Sequence, residues 1–135
     1  RGTCRVLDPQ IQETLPERLE RIVDGVASTF GAKAELVYHK GYPATVNSEQ
    51  ASEFCAEVAK EIAGSNEAVD LKPAPSMGAE DFSYMLQKKP GCYIWTGNGD
   101  TAGLHHPEYD FNDETIAVGA SYWARLVEKR LPKSP

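Results

Sequence analysis

Apolar residues recur at spacings of three and four through the first part of the chain, where Ile11, Leu15, Leu19, Ile22, Val23, Val26 and Phe30 fall on one stripe of a 3.6-residue repeat. Asp8-Pro9 supplies a start signal and Gly31 a stop, so the pattern predicts an amphipathic helix of about five turns. Pro16 fits that helix only in its first turn or at a kink, because proline lacks the N–H that a helix interior uses. Beyond it, Ala34, Leu36 and Tyr38 alternate with Glu35, Val37 and His39, the period of a half-buried strand running into the Gly41-Tyr42-Pro43 break. His39, without a partner in view, reads as a surface residue. Arg1 to Leu7 also reads as a strand. Strand, helix, strand predicts a small open-faced unit with a mostly antiparallel sheet, and two strands are too few to be stable alone. The rest of that sheet is expected elsewhere.

From Asn47 the pattern changes. Asn47 or Ser48 can cap a second helix whose inner face is Ala51, Phe54, Cys55, Val58, Ala59 and Ile62, closed by Gly64. Cys55 on that stripe reads as a small core residue. A short strand is expected over 69–71, then the Pro73-Ala74-Pro75 linker, the Met77-Gly78-Ala79 loop and a short helix with Phe82, Met85 and Leu86 facing inward. Cys92 to Thr96 is a near-continuous apolar run, as in a strand covered on both faces. The Gly97-Asn98-Gly99-Asp100 turn follows. A last helix starts near Asn112 or Asp113, carries Ile116, Ala120, Trp123, Leu126 and Val127 on one face, and stops before Pro132. The fold class expected is α/β, an α+β piece followed by part of an α/β layer, in which sites gather at loops beyond strand ends.

Composition narrows the picture. A chain of 135 residues with 41% hydrophobic content suits one domain of ordinary size. The net charge of -6 argues against nucleic acid as a partner, which needs a concentrated basic surface. Three scattered cysteines, Cys4, Cys55 and Cys92, form neither a disulfide framework nor a paired metal motif, so a reducing, cytoplasmic setting is expected. No apolar run approaches the roughly 20 residues that span a bilayer, and no signal-peptide pattern opens the chain. The chain begins within a predicted strand and without methionine, which suggests a piece of a longer protein.

The sharpest chemical signal is His105 and His106 in the loop Gly103-Leu104-His105-His106-Pro107. A neutral imidazole is the commonest nitrogen ligand for a transition metal. A bare histidine pair is also compatible with a solvated or hydrogen-bonded structural loop. Pro107 restricts His106 to extended backbone, which leaves His105 the freer of the two.

Four segments, in this order, decide between those readings: Gly2-Thr3-Cys4-Arg5, Gly41-Tyr42-Pro43-Ala44-Thr45-Val46-Asn47, Met77-Gly78-Ala79-Glu80-Asp81-Phe82-Ser83-Tyr84, and Leu104-His105-His106-Pro107 with Asp110-Phe111-Asn112-Asp113. Together they resemble the C-terminal part of the metal-dependent amidohydrolases of the hippurate hydrolase and indole-acetic-acid-amino-acid hydrolase type, in the aminoacylase and carboxypeptidase group of metallopeptidases. The resemblance covers nearly the whole chain. It implies a fragment of a two-domain dinuclear metallohydrolase, with residues 1–46 from the lid, or dimerisation, domain and 47–135 from the catalytic domain. It implies a small-molecule N-acyl amino acid as substrate and two divalent metal ions, zinc, manganese or similar, in the complete enzyme. A homodimer through the lid follows from the same likeness, while the charge and the lack of a long apolar run lead to an expectation of no nucleic-acid and no membrane partner.

The resemblance also assigns roles. His105 becomes a metal ligand, with His106 beside it in a supporting hydrogen bond. Gly78 and Ala79 present backbone to substrate, although a turn glycine ahead of a helix explains Gly78 as well. Arg5 would hold the substrate carboxylate through paired hydrogen bonds, against the alternative of an ordinary surface arginine. Asp81 reads as a helix cap, and Glu80 either stabilises the helix start or hydrogen-bonds a ligand residue. The other ligands and the general base are expected outside this chain, which alone should not turn over. The rival from another class is a non-catalytic α+β interaction module keeping the fold without the chemistry. Two lobes hinged at Gly41 to Asn47 are expected.

Overall fold

The computed structural model describes residues 1–132, so the last three residues of the expected catalytic piece, 133–135, lie outside the described residues. Four helices are present: α1 (Pro9–Thr29), α2 (Glu49–Ala63), α3 (Phe82–Leu86) and α4 (Glu114–Arg130). The chain divides into two compact units. One comprises Arg1–Val46 with Pro75–Lys89, the other Asn47–Ala74 with the chain from Pro90 onward. The break after Val46 falls at the glycine and proline segment, whereas Pro75–Lys89 joins the first unit rather than the second.

The helix boundaries follow from local chemistry. Asp8 caps α1, its carboxylate accepting from the Gln10 and Ile11 amides at 2.7 and 3.3 Å. The helix runs through Pro16, well beyond its first turn, so the backbone accepts the loss of one interior hydrogen bond there. Ser48 caps α2 through its hydroxyl, which accepts from the Ala51 amide, and Gly64 ends it in left-handed backbone at φ 66°. Asp81 stands before α3 in helical conformation and makes no side-chain cap. The turn is closed instead by Ser83, whose amide and hydroxyl both donate to the Glu80 carbonyl, the hydroxyl at 2.6 Å.

The expected strands are the main correction. Among the described residues no strand forms, and 1–7, 34–39, 69–71 and 92–96 carry no ladder. A strand is defined by the repeated backbone bonds of a neighbouring strand, and among the described residues these segments form no such ladder. The side-chain alternation persists without them: Leu36 and Tyr38 are half-buried while Glu35, Val37 and His39 are exposed.

In the second unit α2 packs on α4. The α2 face read from the sequence is the packed one, centred on the fully buried Val58. On α4 the packed stripe is Thr115, Gly119, Tyr122, Leu126 and Lys129, whereas Ile116, Ala120, Trp123 and Val127 of the expected face are exposed. α4 has two apolar stripes, and α2 covers the one that holds Tyr122. The Glu61 carboxylate on α2 bridges Lys129 and Arg125 of α4, the latter at 3.0 Å, and Arg130 lies 6.0 Å over the Phe54 ring.

Little else is buried. Val58, Tyr122 and Ser83 are the buried residues among those described, Val58 and Ser83 fully so. Phe30 is 81% exposed and Ile22 61%.

Candidate metal-ligand loop and substrate segment

The histidine loop belongs to the second unit and is closed at its base by one side chain. Asn98 accepts from the Asn112 amide at 2.8 Å through its Oδ1 and donates through Nδ2 to the Asp110 carbonyl at 2.7 Å. A carboxamide offers donor and acceptor side by side, so it can bridge two points of a passing backbone. Asn112 then accepts from the Glu114 amide and starts α4. Gly99, in left-handed backbone at φ 87°, turns the chain out of the clamp. Sequence reading saw Asn98 only as a turn residue. Its sign was the pairing with Asp110-Phe111-Asn112-Asp113, which becomes visible only when the loop is closed.

Inside the loop the two histidines differ. His105 lies at φ 67°, the one left-handed residue other than glycine among those described. That region is uncommon for residues with a Cβ and costs of order 1–2 kcal/mol. The His106 and Tyr109 amides donate to the Gly103 and His106 carbonyls, which fixes the turn on both sides. His106 Nδ1 accepts from the Glu108 amide at 3.1 Å. In that bond Nδ1 is the acceptor, so the lone pair of this nitrogen is engaged within the turn. His105 is exposed in the same turn. Its imidazole fits the donor chemistry of a metal, as one ligand of a set. Among the described residues, no three His, Cys, Asp or Glu side chains gather closely enough to complete that set.

The first unit holds the residues assigned to substrate. Arg5 Nη1 donates to the Met77 carbonyl at 2.7 Å, across 72 positions of sequence, which sets the guanidinium at the Met77–Gly78 peptide. The Gly78 amide donates to Ser76 Oγ at 3.1 Å, and a Cβ on Gly78 would meet that oxygen at 3.4 Å. Glu80 is half-buried, and its carbonyl carries the Ser83 bonds. A cavity of about 530 Å³ opens in this unit between α1 and α3, lined by Gln12, Glu13, Lys40, Tyr84 and Gln87 among others. None of the residues assigned from sequence lines it. Tyr84 meets Tyr42 edge-to-face at 5.6 Å.

The chain belongs to the peptidase family M20/M25/M40, whose model matches residues 5–129. It is 33% identical over 128 residues to a putative amidohydrolase, YhaA, of Bacillus subtilis, covering 91% of this chain and 32% of that protein. It is 32% identical over 129 residues to a hippurate hydrolase of Campylobacter jejuni, covering 96% and 33%. An N-acetylcysteine deacetylase of Bacillus subtilis is 29% identical over 125 residues, with 93% and 32% covered. The chain thus spans about a third of the length of the curated relatives it matches. No solved structure matches it. No helix among the described residues is long and apolar enough to cross a membrane.

Proposed function

We propose that this chain is the C-terminal part of a metal-dependent amidohydrolase that hydrolyses the amide bond of N-acyl amino acids. The observation that carries the reading is the histidine turn, with His105 held outward in left-handed backbone and His106 committed through Nδ1 to the Glu108 amide. Relatives named hippurate hydrolase and N-acetylcysteine deacetylase support the substrate class, because both names describe an acylated amino compound. They weigh against the non-catalytic module. Residues 1–46 would belong to the lid, through which two copies pair, and 47–135 to the catalytic domain, with an α/β layer completed by sequence outside this chain. The cytoplasm suits its free thiols.

In the complete enzyme His105 would hold one of two divalent ions. Such ions supply an activated water and polarise the amide carbonyl. Arg5 keeps guanidinium N–H groups beyond the one given to Met77, and these suit the carboxylate of an amino-acid substrate. Gly78 and Ala79 bring backbone, without bulk, to the same side chain. Glu80 is the candidate to hydrogen-bond a metal-ligating residue.

Metal analysis of variants of the complete enzyme tests this reading. His105→Ala is expected to lose one metal equivalent and nearly all activity, while His106→Ala keeps the metal and loses less. The opposite order would transfer the ligand role to His106. The 135-residue chain alone is expected not to hydrolyse hippurate, and metal-dependent turnover by it would overturn the claim that the remaining ligands lie elsewhere.

A further inference from the structure

Cys55 and Cys92 stand apart from the histidine loop and meet in the interior of the second unit. The segment around Cys92 is fastened to the start of α2 by three hydrogen bonds. The Ser48 amide donates to the Gly91 carbonyl at 2.9 Å, Asn47 Nδ2 to the Tyr93 carbonyl at 2.8 Å, and the Tyr93 amide to Asn47 Oδ1 at 2.8 Å. With its neighbours on both sides held to α2, Cys92 has little freedom of position. Its thiol lies against Ser52 and Cys55, one turn apart on α2. The Tyr122 hydroxyl, from α4, also meets Cys55. Both thiols are half-buried, whereas Cys4 is exposed and belongs to the first unit.

We propose that Cys55 and Cys92 are a redox pair, which a peroxide closes to an intramolecular disulfide joining α2 to the segment that feeds the histidine loop. The cysteine first attacks hydrogen peroxide, breaking the O–O bond to give a sulfenic acid and one water. The second sulfur then attacks the sulfenyl sulfur, expelling a second water and forming the S–S bond. Two thiols are oxidised and one peroxide is reduced to two waters. A dithiol reverses the change by exchange.

Burial holds the Cys92 thiol above its ordinary range, which favours its protonated form at rest. The closed form would tie Gly91–Tyr93 to the middle of α2 as well as to its cap. A reducing compartment keeps the pair open at rest, and an oxidative challenge closes it.

The test is limited hydrogen peroxide on the native protein, alkylation of the remaining thiols, and peptide mapping without reductant. The expected product is one linked species joining the Cys55 and Cys92 peptides, lighter by about 2 Da for the two hydrogens lost, with Cys4 alkylated and reversal by dithiothreitol. Cys92→Ser is expected to leave a sulfenic acid on Cys55, and Cys55→Ser one on Cys92, each captured by dimedone because the resolving thiol is gone. The same oxidation in urea provides a comparison that needs no variant, since in an unfolded chain loop length alone sets a weak preference and bridges to Cys4 also form. Bridges to Cys4 in the native protein, or an identical distribution in urea, would overturn the proposal.

Discussion

The long helices α1 and α2 carry apolar stripes of the same kind and meet opposite fates. In the second unit α2 lays its stripe on α4, and Val58 and Tyr122 leave solvent between them. In the first unit α1 spans 21 residues without burying one of them. Its capping is as good, with two amides held by Asp8, and it tolerates an interior proline. The difference is a partner that packs: α4 covers α2, whereas the five-residue α3 of the first unit does not pack on α1. Periodicity states that a face needs cover, and it does not state that the cover is nearby.

The comparison is broken most directly by truncating one residue on each side of it. Val58→Ala removes fully buried methyl groups and is expected to cost about 2–3 kcal/mol, read as a lower denaturant midpoint for loss of the α2 and α4 signals. Ile22→Ala, at 61% exposure, is expected to stay within about 0.5 kcal/mol. Equal losses would mean that α1 is buried in solution.

Alkali sharpens the contrast next. Burial, then the neighbouring Cys55, pushes the Tyr122 phenol well above its ordinary value of 10.0. The unfolded chain releases this proton near pH 10.0 and the folded unit only far above it, so between those values the folded state holds more protons. The stability is complete below pH 10.0 and falls by about 1.4 kcal/mol for each further unit. Melting of α2 and α4 should move with pH across that window, and Tyr122→Phe should flatten the response. An unchanged slope in the variant would remove Tyr122 as the cause.

Asn98→Ala addresses the loop. Two carboxamide bonds are worth about 1–2 kcal/mol together, and their loss should speed amide exchange from Gly99 to Phe111 while α2 keeps its protection. The smallest effect is expected at Glu61. Lys129, then Arg125, holds its carboxyl below the ordinary 4.5, so its contribution is present above that value and disappears as pH falls through the lowered one. Because the pair is exposed, Glu61→Gln should mainly remove that acid dependence and its salt sensitivity.

Much of the helical frame was legible because its signals are local. Asp8, Ser48 and Gly64 each act within one turn, and the stripes of α1 and α2 need no partner to be recognised. The strands were not legible as ladders. Ala34 to His39 has the right alternation, but a ladder depends on a neighbour that the described residues do not provide. α4 misled for a different reason: its sequence offers two apolar stripes, and only contact with α2 selects between them. Within the candidate site, the histidine pair announced itself by residue type. The clamp at Asn98 and the bond from Arg5 to Met77 join positions that sequence spacing keeps far apart.

The backbone of His105 has a consequence for how this position would behave under selection. A histidine at φ 67° gives up stability that glycine or asparagine would recover without moving the turn. A library randomised at residue 105 of the complete enzyme should therefore give two different winners. Sorted for cellular abundance it would enrich glycine and asparagine, and, on the ligand role and substrate proposed above, sorted for growth on an N-acyl amino acid it would return histidine.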